Sequence, residues 1–240
     1  MDIHIGTSGY SYKEWKGTFY PEDLKAKEML AYYSQHFSTV EINNTFYRMP
    51  VKSVLEGWAS RVPEDFIFVL KAPQRITHQK RLVDTAEELV RLTTVASGLG
   101  NKLGPILFQL PPYQKKDIAR LREFMATLDQ ETRVAFEFRH DSWNDDEVHQ
   151  LLRNCNASLC LADTDDSKGA DETLVATATF GYLRLRRTEY SEAELRAWAD
   201  RINGQGWSEA FVFFKHEDEG KGPRFATGLK TVLGEQEPTV

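Results

Sequence analysis

Eight short apolar runs recur along the chain, at 3–6, 39–43, 66–71, 106–110, 134–139, 158–163, 182–186 and 211–215. Each is rich in β-branched or aromatic residues and has turn residues nearby, the pattern of buried strands. Their spacing averages about 30 residues, one strand-plus-helix unit. Helical periodicity fills the intervals. It covers 25–36, then 84–99 with Asp84 as N-cap and Gly98 and Gly100 at its end, then 117–128 behind Asp117. Ser191 and Glu194 form a capping-box pattern opening a helix through Ile202, and a last helix is predicted over 222–233. The stretch 163–179 is polar and reads as a loop. Strand alternating with helix predicts a parallel sheet. Eight units in 240 residues predict one (β/α)8 TIM-type barrel over 1–240, with a shortened or irregular segment after strand six.

Composition narrows the function classes. The net charge of −6 argues against broad nucleic-acid binding, which phosphate neutralisation drives. No run of apolar residues is long enough to span a membrane, and the first residues lack the pattern of a signal peptide. Cys155 and Cys160 fit a reduced, cytoplasmic protein better than a disulfide scaffold, with Cys160 reading as core.

The polar residues fall at one end of the predicted strands. Ser8, Glu41, Asn43, Lys71, Gln109, Glu137, Arg139, Asp163, Arg184, Arg186, Lys215 and His216 all stand at or just past a C-terminal strand end. Side chains alternate across a strand, so Glu41 shares a face with Asn43, Glu137 with Arg139, and Arg184 with Arg186. Val40, Ile42, Phe136, Phe138, Leu183 and Leu185 then face the helices. The charged set points into the C-terminal mouth, where barrel active sites lie. Lys71, Arg139, Arg184, Arg186 and Lys215 outnumber Glu41, Glu137 and Asp163 there. A positive cleft in an acidic protein points to an anionic ligand, which arginine recognises bidentately. Mutual pairing of these charges is the plainer alternative.

Particular residues suggest particular chemistry. The segment 6–9 (GTSG) lets backbone N–H groups approach a ligand or simply forms a tight turn; it has neither P-loop nor dinucleotide spacing. Tyr12, Trp15, Tyr20, Tyr47 and Trp143 form either a stacking wall for a sugar or base or the packing that closes the barrel top. Glu41 and Glu137 are the acid/base candidates, and paired carboxylates also cleave glycosides. Lys71, in an apolar setting among cations, suits an anion clamp or, less simply, an imine-forming amine. A divalent metal on Glu41, Glu137 and Asp163 with His78, His140 or His216 is the alternative to a cofactor-free site. The cations among those carboxylates, and the lack of His-x-x-x-His and Cys-x-x-Cys spacings, weigh against it. His4 and His36 read as structural, and no nucleophile elbow is present.

Longer segments carry a resemblance. They are 6–21 (GTSGYSYKEWKGTFYP), 40–50 (VEINNTFYRMP), 71–73 with 77–78 (KAP, TH), 103–112 (LGPILFQLPP), 136–143 (FEFRHDSW) and 182–184 (YLR). In these the chain resembles the YecE-like family, a domain of unknown function numbered 72. The resemblance implies a TIM-type barrel and no particular activity. Relatives often carry Arg-x-His-Gly after strand seven, where this chain has Arg184, Leu185, Arg186 and Arg187. Relatives often end strand eight with an aromatic residue before Asn-rich sequence, where this chain has Phe214, Lys215 and His216 before acidic residues. That side of the mouth is expected to bind more through charge. The expected function is an enzyme acting on a small anionic molecule, a phosphorylated sugar or nucleotide-like compound. Glu41 or Glu137 would transfer the proton and Lys71, Arg139, Arg184 and Arg186 would hold the anion. Ser8, Tyr12, Trp15, Asn43, Gln109, Asp163 and Lys215 would complete the binding set. A metal-dependent phosphodiester hydrolase or sugar isomerase, or a noncatalytic ligand- or partner-binding protein, are the alternatives.

Overall fold

Every predicted apolar run forms a strand in the computed structural model, which describes residues 1–129, 131–167, 173–215 and 220–234. The strands are β1 Asp2–Ser8, β2 Thr39–Ile42, β3 Ile67–Lys71, β4 Leu103–Gln109, β5 Val134–Glu137, β6 Ser158–Leu159, β7 Leu161–Asp163, β8 Phe180–Leu185 and β9 Glu209–Phe214. All pair in parallel, in the order β6-β5-β4-β3-β2-β1-β9-β8-β7. The two end strands are the halves of the predicted sixth strand, parted at Cys160. The ring of a TIM-type α/β barrel therefore closes through the chain itself.

The break has an identifiable cause. The Cys160 amide donates to Phe136 O at 2.8 Å, continuing the ladder with β5. On the opposite side the Thr177 hydroxyl replaces a strand, accepting from Leu159 N at 2.8 Å and donating to Ala157 O at 2.7 Å. The sequence therefore counts eight strands where the described residues show nine, and the irregularity lies within strand six as well as after it.

The helices are α1 Met29–His36, α2 Asn44–Tyr47, α3 Lys52–Ala59, α4 Ala86–Ala96, α5 Ile118–Thr127, α6 Asp146–Asn154, α7 Glu192–Asn203 and α8 Lys221–Val232. Asp117 caps α5 by accepting from Arg120 N at 3.0 Å, and Ser191 with Glu194 completes the capping box of α7. The start of α4 differs from the sequence reading. Residue Asp84 has φ of 50°, and the N-cap of α4 is Thr85. The helices α2, α3 and α6 were not predicted. Asp145 caps α6, which buries Val148, Leu151 and Leu152 at helical spacing.

Alternation along the strands separates two apolar layers. Val40, Ile42, Leu183 and Leu185 pack outward with α1, α7 and α8, and Phe136 packs outward with Phe108 and Phe124. Val69, Leu107, Ala135, Cys160, Tyr182 and Phe213 fill the interior. Glu209 closes the opposite end of the barrel, pairing with His4 at 2.8 Å and with Arg133.

Candidate functional site

Two residues beyond the interior apolar layer, the inward positions of several strands turn polar. Glu41, Lys71, Gln109, Glu137 and Arg184 are all buried. Arg184 is the hub. Its Nη2 donates to Glu41 Oε1 at 2.9 Å and its Nη1 to Glu137 Oε2 at 2.5 Å, so one guanidinium joins β2 to β5 across the barrel. Glu41 is enclosed on both oxygens. Oε1 also accepts from Ser8 Oγ at 2.7 Å and Asn43 Nδ2 at 3.1 Å, and Oε2 accepts from the Tyr182 hydroxyl at 2.7 Å. Glu137 is also buried, but two of its cationic neighbours reach solvent. Its Oε1 accepts from Gln109 Nε2 at 2.6 Å and Arg139 Nε at 3.0 Å, with Arg186 Nη1 3.9 Å away. Arg139 and Arg186 keep side-chain exposures of 35% and 21%, so this edge of the network meets solvent.

Lys71 reaches the network through an amide. Its Nζ donates to Gln109 Oε1 at 2.8 Å and lies 4.1 Å from the centre of the Phe46 ring. The Thr45 hydroxyl contacts both Ile42 O at 3.0 Å and Lys71 O at 2.7 Å, fixing α2 so that Phe46 faces the lysine. The His78 ring stands edge-on to Phe46 at 4.9 Å, on a π-helical turn over Arg75–Gln79.

Electrostatics divide these groups into two kinds. Burial alone raises the Glu137 carboxyl, but the charges of Arg184 and Arg139 override it and hold the group at about 2. Burial likewise opposes ionisation of Glu41, and the Arg184 charge with the Ser8 and Tyr182 hydrogen bonds brings it below the usual carboxylate value. Burial and the Arg184 charge push Lys71 down to about 8, against the pull of Glu41 and Glu137. Burial, then Lys71 and Arg139, lower the His78 imidazole. The surroundings therefore favour the carboxylates as anions and disfavour the cationic forms of Lys71 and His78.

A cavity of about 90 Å³ opens beside Asn43, between the β1 and β2 loops and α3, with Gly9, Tyr10, Tyr12 and Trp58 on its walls. Gly9 has φ of 92°, which suits glycine, and the Tyr12 hydroxyl donates to Ser8 O at 2.7 Å across it. Gly9, at the end of segment 6–9, thus lies in the turn and in the cavity wall.

The family model of DUF72, described as a protein of unknown function, matches residues 4–240. The chain belongs to the DUF72 family. It is 28% identical over 236 residues to the UPF0759 protein YunF of Bacillus subtilis, covering 90% of this chain and 79% of YunF. It is 29% identical over 139 residues to the UPF0759 protein YecE of Escherichia coli, a match spanning 58% of this chain and 48% of YecE. The crystal structure of a DUF72 family protein from Thermotoga maritima superimposes with a TM-score of 0.84 at 27% identity, covering 98% of this chain and all of the other.

In this DUF72 chain the structure brings Ser8, Glu41, Asn43, Lys71, Gln109, Glu137, Arg139, Arg184 and Arg186 together, as their strand positions predict. Tyr12 lines the neighbouring cavity. Trp15 does not face a ligand space. It is 1% exposed and packs among Tyr12, Phe19 and Tyr20, so of the two expected roles Trp15, Tyr20 and Trp143 take the packing one, beneath the loops. Tyr47 is exposed. Asp163 forms a separate cluster, accepting from the Tyr190 hydroxyl at 2.7 Å and from Ser167 Oγ. Arg187 turns to Glu194 at 2.7 Å, towards α7. Lys215 lies just past β9, half-buried, its amide donating to Leu185 O. Among the described residues no group of three or more His, Cys, Asp and Glu side chains is arranged to hold a metal ion, and His216 lies outside them. No helix among the described residues is long and apolar enough to cross a membrane.

Sequence reasoning missed Tyr182 and Phe46 as site residues and offered His78 only as a metal ligand. Tyr182 was within reach, since it stands two positions before Arg184 and shares its face. The other two come from loops whose paths the strand pattern does not fix.

Proposed function

We propose that this protein is an enzyme that binds a small anionic substrate, of the phosphorylated sugar or nucleotide-like class, at the C-terminal barrel mouth. The observation that carries the reading is the imbalance around Glu137. Arg139, Arg184, Arg186 and Lys71 gather about Glu41 and Glu137, and Arg139 and Arg186 are the members that reach solvent. Cations in a recess with low-dielectric walls attract anions despite the chain's acidic balance. Arg139 and Arg186 clamp the anion, while Arg184 is the fixed strut behind them. Gln109 and Asn43 orient the substrate.

Of the two carboxylates, Glu137 is the better placed base, because the arginines beside its Oε1, Arg139 and Arg186, reach solvent, whereas Glu41 lies fully buried behind Arg184. So weak a base accepts a proton only from an acidified centre, and the surrounding cations supply that by stabilising the resulting anion. Free Cys155 and Cys160 support a reducing, cytoplasmic setting.

The test is thermal stabilisation by inorganic phosphate, ribose 5-phosphate, nucleoside monophosphates and citrate. A ligand at a hundred times Kd adds about 2.7 kcal/mol, roughly 5–10 °C in a domain of this size. Arg139→Ala removes a half-exposed group and leaves both Arg184 pairs intact. It is expected to weaken the best anion at least about tenfold, the effect of losing a charge-assisted hydrogen bond. Equal binding by the variant, or no response to any of these anions, overturns the reading.

A further inference from the structure

Of the four described cations gathered about Glu41 and Glu137, three have a carboxylate partner and Lys71 does not. Arg139, Arg184 and Arg186 each lie within 4.0 Å of Glu41 or Glu137. Lys71 has no described carboxylate within that distance, although its side chain is buried. Its acceptor is the neutral amide oxygen of Gln109, and its other neighbour is the Phe46 ring. A plain anion clamp would be an ammonium extended towards solvent. A buried amine beside a guanidinium, with no counter-ion of its own, instead favours the neutral, nucleophilic form.

We propose that Lys71 forms an imine with the carbonyl carbon of a small anionic oxo compound. This rests on the clamp reading above, because Arg139 and Arg186 would hold the anionic group while Nζ meets the carbonyl. The Nζ lone pair forms the C–N bond as the carbonyl π pair moves to oxygen. One N–H proton passes to that oxygen, and after a second proton transfer the hydroxyl leaves as water, giving the C=N bond. The sum is amine plus carbonyl giving imine plus water, with no oxidant or reductant. Protonation of the imine nitrogen then makes an electron sink that acidifies the adjacent C–H.

His78 carries the protons in this scheme. It rests against the same Phe46 ring, and Nδ1 is engaged by the Thr77 hydroxyl at 2.9 Å, leaving Nε2 for the exchange. The imidazole is half-buried, and burial, Lys71 and Arg139 disfavour its cation. Its placement on a π-helical turn matches where such turns concentrate, at functional positions. The charged groups bearing on Lys71 are Arg184, Glu41, Glu137 and Arg139, with His78 beside it.

The experiment is reductive trapping on the full chain. The protein is incubated with glyoxylate, an anionic aldehyde, or with glycolaldehyde, a neutral one, in the presence of cyanoborohydride, and adducts are located by peptide mass spectrometry. Glyoxylate is expected to label Lys71 at least about tenfold faster than any other lysine, with a pH profile rising through about 8 rather than the usual lysine value near 10.4. Glycolaldehyde should label it more slowly, and Arg139→Ala should remove that difference. His78→Gln should slow labelling and change its pH profile without moving the site of the adduct. Labelling of Lys71 no faster than surface lysines, in a protein that phosphate still stabilises, overturns the imine and leaves the clamp standing. Selective labelling with no preference for the anionic aldehyde supports a reactive amine and counts against the clamp. Failure of both readouts overturns both.

Discussion

Arg184→Ala is expected to destabilise the protein by about 3–5 kcal/mol at pH 7, the range for removing one partner of a buried ion pair. For a chain of this length that lowers Tm by roughly 10 °C. The side chain is 2% exposed and holds two carboxylates on opposite sides of the barrel. Without it Glu41, fully buried, keeps only the neutral donors Ser8, Asn43 and Tyr182. Glu137 keeps Arg139 and loses less.

The pH dependence separates this cause from simple cavity formation. In the parent protein the Glu137 carboxyl is held at about 2, below its ordinary value of 4.5. Its contribution is therefore complete above the ordinary value and is lost as pH falls towards 2. In the variant, burial without the arginine raises the Glu41 carboxyl above its unfolded value. Stability then falls as pH rises through that range, so the deficit at pH 7 exceeds the deficit at pH 4. Urea unfolding midpoints at the two pH values measure this. A deficit that is the same at both, or smaller than about 1 kcal/mol at pH 7, contradicts the buried-pair account.

Gly6→Ala is expected to be nearly as damaging, for a steric reason. A Cβ at Gly6 would stand 2.1 Å from Thr39 O and 2.9 Å from the Tyr33 hydroxyl. The first of these atoms is backbone on the paired strand, so relief requires β1 and β2 to separate. The Tyr33 hydroxyl accepts from Thr7 N at 2.9 Å and donates to Thr39 O at 3.0 Å, and both bonds would be strained. Overpacking at a site that cannot relax costs about 3 kcal/mol. Thermal and urea unfolding of the variant measure it. A loss under about 1 kcal/mol would mean that the strand pair opens more easily than its geometry implies. Because Ser8 follows on the same strand and donates to Glu41, this variant should also weaken phosphate binding.

The run at 134–139 shows how far the sequence reading reaches. Its alternation places Glu137 and Arg139 on one face and Phe136 and Phe138 on the other, as the structure has them. Period-two alternation is a local property of an extended chain, so it survives translation into three dimensions. The run at 158–163 shows where local reading ends. Its break at Cys160 depends on the Thr177 hydroxyl, which competes for backbone groups from another part of the chain. Trp15 shows the same limit, since an aromatic residue in a loop reads alike whether it faces a ligand or packs beneath it.

The sequence by itself determined the repeat of strand and helix, the barrel that repeat requires, and the ring of charged residues at its C-terminal end. Those follow from hydrophobic period and strand polarity, which are written in neighbouring residues. Only the tertiary structure decided how the charges divide. It paired Arg184 with both Glu41 and Glu137, left Lys71 on an amide beside Phe46, and drew His78 to the same ring. Such partnerships join residues from separate strands and loops, and they are fixed by how the closed barrel brings those side chains within hydrogen-bonding distance.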